Sequence, residues 1–167
     1  SKNLPKVLML SGKKGVGKCT LINHFLAYVY DKDNYDLKNK SIKNKNDFDK
    51  KFLNNTFPNI IYHSGENFQN VKIDDIRNLK SKILKTTISE KERYIILDDI
   101  ELFNANSLNA LLKIIEDPLS KNYFILINNK TKPLLETIYS RSLEVKIILN
   151  NTIRKKIIES LILEKKL

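Results

Sequence analysis

Apolar residues fall along this chain in short unbroken runs, separated by longer stretches whose apolar positions recur at helical spacing. Val7-Leu-Met-Leu10, Asn59-Ile-Ile-Tyr-His63, Tyr94-Ile-Ile-Leu97, Tyr123-Phe-Ile-Leu-Ile127 and Leu143 to Leu149 have the length and character of buried strands. Leu21 to Tyr30 reads as a helix, and Ile76, Leu79, Ile83 and Leu84 mark one face of another ending near Thr86, with Asp74 or Asp75 placed to cap it. Leu108, Leu111, Leu112 and Ile115 give Ala105 to Glu116 an amphipathic helix, stopped by Asp117-Pro118. Pro133 opens a short helix through Tyr139, and Asn150-Asn-Thr152 begins a charged one running uncapped to Leu167. Short apolar strands alternating with helices predict an α/β fold, a parallel sheet covered on both faces. Ligands in such sheets sit beyond the carboxyl ends of the strands.

The alternation is interrupted once. Asp31 to Pro58 is rich in Lys, Asn and Asp, and Lys38 to Asn46 can bury almost nothing, so it reads as a loop or a frayed insertion. Within it, Asp47 to Leu53 predicts a short helix docked through Phe48, Phe52 and Leu53. Gly65 to Val71 is a connection and Ser89 to Glu92 a polar turn. At 167 residues the chain can bury a real core without staples. Residues 1–149 are expected to form one domain with 31–58 as a Lys/Asn-rich insertion or loop, and the uncapped helix of 150–167 to start a further helical region of a longer protein.

Candidate chemistry gathers just after the first strand. Ser11 to Thr20 reads Ser-Gly-Lys-Lys-Gly-Val-Gly-Lys-Cys-Thr, placed between a strand and a helix as a phosphate-binding P-loop requires. Three of the four glycines, Gly12, Gly15 and Gly17, lie in it, where they let backbone N–H groups turn toward phosphate oxygens. The helix behind adds the positive end of its dipole, and Lys18 a point charge. Gly12, Lys13, Lys14, Gly15, Val16, Gly17, Lys18, Cys19 and Thr20 are therefore the expected nucleotide-binding set. The signature wants a hydroxyl after the lysine to ligate Mg²⁺, and Cys19 stands there. Thr20 lies roughly 100° further round the helix and cannot simply replace it. A thiol is a soft ligand for a hard ion. The phosphate cradle is intact and the metal seat is damaged, so ATP with Mg²⁺ is expected to bind weakly.

Composition removes other classes. One cysteine and two histidines, His24 and His63, exclude a disulfide framework and make zinc unexpected. No apolar run is long enough to span a membrane and no charged-then-apolar leader precedes the first strand, so a cytoplasmic location is expected. The net charge of +11 invites a nucleic-acid reading. Only Arg77, Arg93, Arg141 and Arg154 are arginines, however, and a Lys/Asn/Ile bias is what codon drift in an AT-rich genome produces. A solvated basic surface accounts for it as well.

Tyr94-Ile-Ile-Leu-Asp98 has the form of the second NTPase element, in which Asp98 would hold Mg²⁺, usually through water, and the next residue polarise the attacking water. That next residue is Asp99, one methylene shorter than the usual glutamate. Val71 to Arg77, Arg93 to Asn104, Ser107 to Pro118, Asn122 to Asn129 and Ile138 to Ser142 resemble, in order and spacing, bacterial clamp-loader subunits of the AAA+ family. The likeness covers nearly the whole chain outside 31–58, and is greatest to the delta-prime subunits of DNA polymerase III.

The resemblance implies a P-loop AAA+ fold, a helical lid beginning at 150–167, and work beside the gamma/tau and delta subunits. Such assemblies place a sliding clamp on primed DNA. ATP-hydrolysing gamma/tau subunits carry the hydroxyl, an Asp-Glu pair and a four-cysteine zinc module, and this chain has none of the three. Delta-prime subunits often have degraded nucleotide sites, act as a stator, and keep the arginine of a Ser-Arg-Cys motif that reaches a neighbour's ATP site. Arg141 matches it, with Ser142 in place of the cysteine. Asn128, or Asn129 beside it, matches the sensor position that touches the γ-phosphate or the catalytic water. The implied function is a delta-prime-like subunit supplying an arginine finger in trans with little ATPase of its own. The competing readings are a self-sufficient gamma-type ATPase and a small P-loop kinase, whose arginine-rich lid is not visible here.

Overall fold

The computed structural model describes residues 4–53, 57, 59–65, 73–84 and 92–165. The elements in chain order are β1 (Val7–Ser11), α1 (Lys18–Tyr30), β2 (Tyr35–Asp36), β3 (Ser41–Ile42), α2 (Lys45–Leu53), β4 (Ile60–Ser64) and α3 (Ile73–Leu84). They continue with β5 (Arg93–Asp98), α4 (Ala105–Ile115), β6 (Asn122–Asn128), α5 (Glu136–Tyr139), β7 (Leu143–Lys146) and α6 (Asn151–Lys165). Single 3-10 turns occupy Lys32–Asn34 and Ile100–Leu102. Five strands form one sheet in the order β4-β5-β6-β1-β7, with every pairing parallel.

The apolar strand runs are continuous because both sheet faces are covered. Val7, Met9, Ile95, Leu97, Phe124 and Leu126 pack on one face against Ile76, Leu79 and Ile83 of α3, Leu108, Leu111 and Ile115 of α4, and Ile138 of α5. Leu10, Ile60, Tyr94, Ile96, Ile125 and Ile127 pack on the other against Ile22, Leu26 and Ala27 of α1 and Phe48 of α2. Each such side chain contributes about 1.5–3 kcal/mol by leaving water. Three layers result, as the alternation predicts.

The 31–58 stretch is more regular than a frayed insertion. β2 and β3 pair antiparallel, with Tyr35 opposite Ile42 and Asp36 opposite Ser41. Asp36 closes the turn: its Oδ1 accepts from the Lys38 and Asn39 N–H groups, and its Oδ2 from Asn39 Nδ2 at 2.8 Å. Asn44 Oδ1 accepts from Asp47 N–H and so caps α2. The Asn and Asp residues that read as disorder are those that bond their own backbone in turns and caps. Phe48 is fully buried, and Phe52, Tyr35 and Ile42 pack against the same cluster. The side chain of Leu53 lies outside the described residues.

Other boundaries shift for local reasons. α3 starts at Ile73, so Asp74 and Asp75 lie inside it rather than before it, and α5 starts at Glu136 rather than Pro133. Among the stretches outside the described residues, 66–72 include most of the expected connection after β4, and 85–91 hold the expected helix end at Thr86 and most of the polar turn. β7 stops at Lys146 instead of Leu149 because its one partner, β1, turns away after Ser11 into the glycine loop. α6 is capped at its start by Asn150, whose Oδ1 accepts from Ile153 N–H at 2.8 Å. No described helix is long and apolar enough to cross a membrane.

Candidate functional site

The glycine loop joins the carboxyl end of β1 to the amino end of α1, and the sheet's other strands bring their own ends to it. Gly12 N–H donates to the Asn128 carbonyl at 3.1 Å, and a Cβ at Gly12 would collide with the Ile147 carbonyl oxygen. That position thus needs glycine for close backbone approach. Gly15 and Gly17 have φ of 85° and 92°, the left-handed region that glycine enters without cost. Lys18 is buried, and its Nζ donates to the carbonyls of Gly12 at 2.7 Å and Lys13 at 2.9 Å. Burial lowers its pKa, while the nearby Cys19, Asp98, Glu101 and Asp99 act in the opposite sense.

Asp98 ends β5 on the α1 side and is met there by Cys19. The thiol donates to Asp98 Oδ2 at 3.4 Å, and the Tyr62 hydroxyl donates to the same oxygen at 2.9 Å. Asp98 Oδ1 accepts from Asp99 N–H at 2.8 Å and from Asn129 Nδ2 at 3.3 Å. Asp99, left-handed with φ 50°, accepts on Oδ1 from Asn129 Nδ2 at 2.7 Å and on Oδ2 from Ser64 Oγ at 3.2 Å. Every carboxylate oxygen of the acid pair therefore already holds a protein hydrogen bond. Cys19 is an exposed residue, but its sulfur is partly desolvated against Asp98; that desolvation, then the charge and hydrogen bond of Asp98, push the thiol up to about 11, and Tyr62 rises for the same reasons.

Between loop and acids lies a cleft of about 490 Å³, lined by Lys14, Gly15, Gly17, Lys18, Cys19, Thr20, Tyr62, Ser64, Asp98, Asp99 and Asn129. Of the expected binding set, Gly12 and Lys13 instead hold Lys18 through their carbonyls, and Val16 packs beside Gly12. Asn128 is turned away: its Nδ2 donates to the Tyr139 hydroxyl at 2.9 Å and its Oδ1 accepts from Lys130 N–H. Asn129 is the asparagine in the cleft.

Tyr62, Ser64 and Glu101 are the residues that sequence reasoning missed. Glu101 is buried beneath the loop after β6, where one oxygen, Oε1, accepts from the N–H groups of Asn129 and Thr131 and from Thr131 Oγ1. Its other oxygen is buried without a partner. A third acid two residues beyond Asp99, in the 3-10 turn after β5, is the one sequence signal for it.

Arg141 lies outside the cleft, between α5 and β7. Its Nε donates to Glu116 Oε1 at 2.8 Å, its Nη2 donates to the same oxygen, and its Nη1 donates to the Thr137 carbonyl at 3.1 Å. Both side chains of the ion pair are partly exposed, at 34% and 49%.

The family model described as DNA polymerase III, delta subunit, matches residues 1–150. Over 74 residues the chain is 31% identical to the delta-prime subunit of DNA polymerase III from Pseudomonas aeruginosa, covering 44% of this chain and 23% of that protein. It is 36% identical over 69 residues to the delta-prime subunit from Buchnera aphidicola subsp. Schizaphis graminum, covering 41% and 21%. The gamma subunit of the same organism is 30% identical over 76 residues, covering 46% and 21%. These matched stretches span less than a quarter of each relative. Among solved structures, a DNA polymerase III gamma subunit-related protein from Thermotoga maritima superposes with a TM-score of 0.60 at 20% identity, over 92% of this chain and 45% of that one. A RuvB variant from the same organism gives 0.58 at 19%, over 99% and 46%. At such identities the likeness is one of fold, a P-loop α/β domain of the AAA+ type.

Proposed function

Because this chain belongs to the family described as DNA polymerase III, delta subunit, we propose that it works as a delta-prime-type subunit of the clamp loader, within the polymerase holoenzyme. In that role it assembles with gamma/tau and delta subunits and helps place the sliding clamp on primed DNA. It lends Arg141 to a neighbour's ATP and hydrolyses little or none itself. Its own cleft keeps the features that hold a nucleotide's phosphates: the left-handed glycines, the amino end of α1, and Lys18.

The observation that carries this reading is where Arg141 sits relative to the chain's own loop. β7 runs parallel to β1, the loop follows the carboxyl end of β1, and Arg141 precedes the amino end of β7. The two lie at opposite ends of the sheet, about 17 Å apart along a five-residue strand. A guanidinium there serves another subunit's phosphates, where its fork stabilises charge on the transferred phosphoryl group. The acid pair supports the same reading, since Asp98 accepts four protein hydrogen bonds, two on each oxygen, and Asp99 is tied to Asn129 and Ser64.

The test is reconstitution with the other loader subunits, clamp and primed DNA, followed by single-turnover ATP hydrolysis. Arg141→Ala is expected to slow the neighbouring site by on the order of 10³-fold, the scale of an arginine finger supplied in trans. Turnover by the protein alone that needs Lys18 and ignores Arg141 would overturn the reading in favour of a self-sufficient ATPase.

A further inference from the structure

The family's ATP sites imply Mg²⁺, and the acid corner of this cleft does not fit it. Mg²⁺ takes six oxygen ligands in a near-ideal octahedron at about 2.0–2.1 Å. Here the protein would offer the thiol of Cys19, a soft donor, and a carboxylate whose oxygens are already bonded. Asp98 Oδ2 accepts from both Tyr62 and Cys19, and Asp98 Oδ1 accepts from Asp99 N–H and Asn129. A metal could enter only by displacing the Tyr62 hydroxyl, the Cys19 thiol or the Asn129 amide. The opposite wall is unaltered: Lys14 and Lys18 line the cleft, and Gly15 and Gly17 turn the loop around it.

Resting on the reading of this cleft as a nucleotide site, we propose that it takes nucleoside di- and triphosphates without a divalent cation. The phosphate charge is met by Lys18, the loop N–H groups and the amino end of α1 alone. Tyr62, Cys19 and Asn129 hold the acid pair closed in the place where the metal would sit. The nucleotide then serves as a structural ligand of the domain.

The experiment is calorimetric titration of the protein with ADP and with ATP, once in EDTA and once in excess Mg²⁺. The expected result is affinity in EDTA equal to that in Mg²⁺ within about threefold, or tighter, because chelation by Mg²⁺ removes phosphate charge that Lys18 would otherwise meet. Strengthening by Mg²⁺ of about tenfold or more overturns the proposal. Lys18→Ala is expected to abolish binding in both conditions, and binding that survives it lies outside this cleft and also overturns the proposal.

The double variant Cys19→Ser, Tyr62→Phe restores a hydroxyl and removes one of the two donors on Asp98 Oδ2. It is expected to make Mg²⁺ strengthen binding by about tenfold. Metal indifference that persists in this variant would show that the closed acid corner is not the cause. Absence of nucleotide binding in both conditions would refute the underlying nucleotide-site reading itself, a failure distinct from metal-dependent binding.

Discussion

The guanidinium of Arg141 is held by Glu116, whose Oε1 accepts from both Nε and Nη2, and Glu116 closes the carboxyl end of α4. The amino end of that helix is capped by Asn104, whose side chain accepts from Ser107 N–H at 2.9 Å just past the acid corner. Eleven residues of helix, about 17 Å, thus connect the nucleotide cleft to the carboxylate on which Arg141 rests.

A finger used in trans must leave this carboxylate, so Glu116 sets the starting point of its reach. Exposed ion pairs of this kind contribute about 0–1 kcal/mol. Glu116→Ala is expected to leave the urea midpoint nearly unchanged. In the reconstituted loader it should change the hydrolysis rate at the neighbouring site, with Glu116→Asp closer to wild type. An altered midpoint with unchanged hydrolysis would make the pair structural only.

Phe48 tests whether the 31–58 stretch belongs to the fold. It is fully buried, stacks with Phe52 at 6.3 Å between ring centroids, and meets Phe57 at 5.6 Å. Phe48→Ala is expected to cost about 3–5 kcal/mol in urea unfolding, the scale of an aromatic lost from a core. A cost below about 1 kcal/mol would mean that α2 is dispensable packing.

Glu101 supports Asn129 from below through Oε1, while Oε2 is buried without a partner. Removing the acceptor strands the buried Asn129 N–H, at about 1–3 kcal/mol for a group left unsatisfied in the interior, while the donors of the exposed Thr131 can turn to water. Removing only the charge relieves a desolvated carboxylate. Glu101→Ala should therefore lower stability clearly, and Glu101→Gln, which keeps the acceptor but puts unpartnered amide donors where Oε2 was, should fall between Ala and wild type in the same thermal unfolding experiment. Glu101→Gln as unstable as Glu101→Ala would show that the negative charge itself, facing Lys18, holds the site together.

What the sequence made legible follows from how local each signal is. The strand, loop and helix around Lys18 are contiguous, so β1, the glycine positions and α1 could be read directly. So could β5 with its two acids and the apolar stripe of α4. Tyr62 and Ser64 were not legible, because they reach the acids through the β4–β5 register, in which Ser64 pairs with Asp98. The choice between Asn128 and Asn129 was decidable in principle. Ile125 and Ile127 face α1, as do Tyr94 and Ile96 before Asp98, and strand alternation carries Asn129 to that same side. The hairpin was misread because its Asp and Asn residues favour turns and disorder alike, and only Tyr35 and Ile42 packing on the core distinguishes the two.

Cys19 offers a direct reading of the acid corner, since it is the only cysteine in the chain. The residue as a whole is exposed, but its sulfur is partly buried against Asp98, and the thiol is raised from 9.0 to about 11, first by that desolvation and then by the carboxylate that accepts its hydrogen bond. Raising the folded pKa of an acid that is neutral when protonated means that the folded state binds this proton more tightly than the unfolded one. The corresponding stability is fully present below pH 9 and is lost as pH rises toward about 11. Alkylation by iodoacetamide follows the thiolate, so its rate in native protein should rise with a midpoint near 11, against about 9 in denaturant. Asp98→Asn removes the nearby negative charge and should move the native midpoint downward. A native midpoint at or below that of denatured protein would mean that the Cys19–Asp98 hydrogen bond does not persist in solution, and that the metal seat is open.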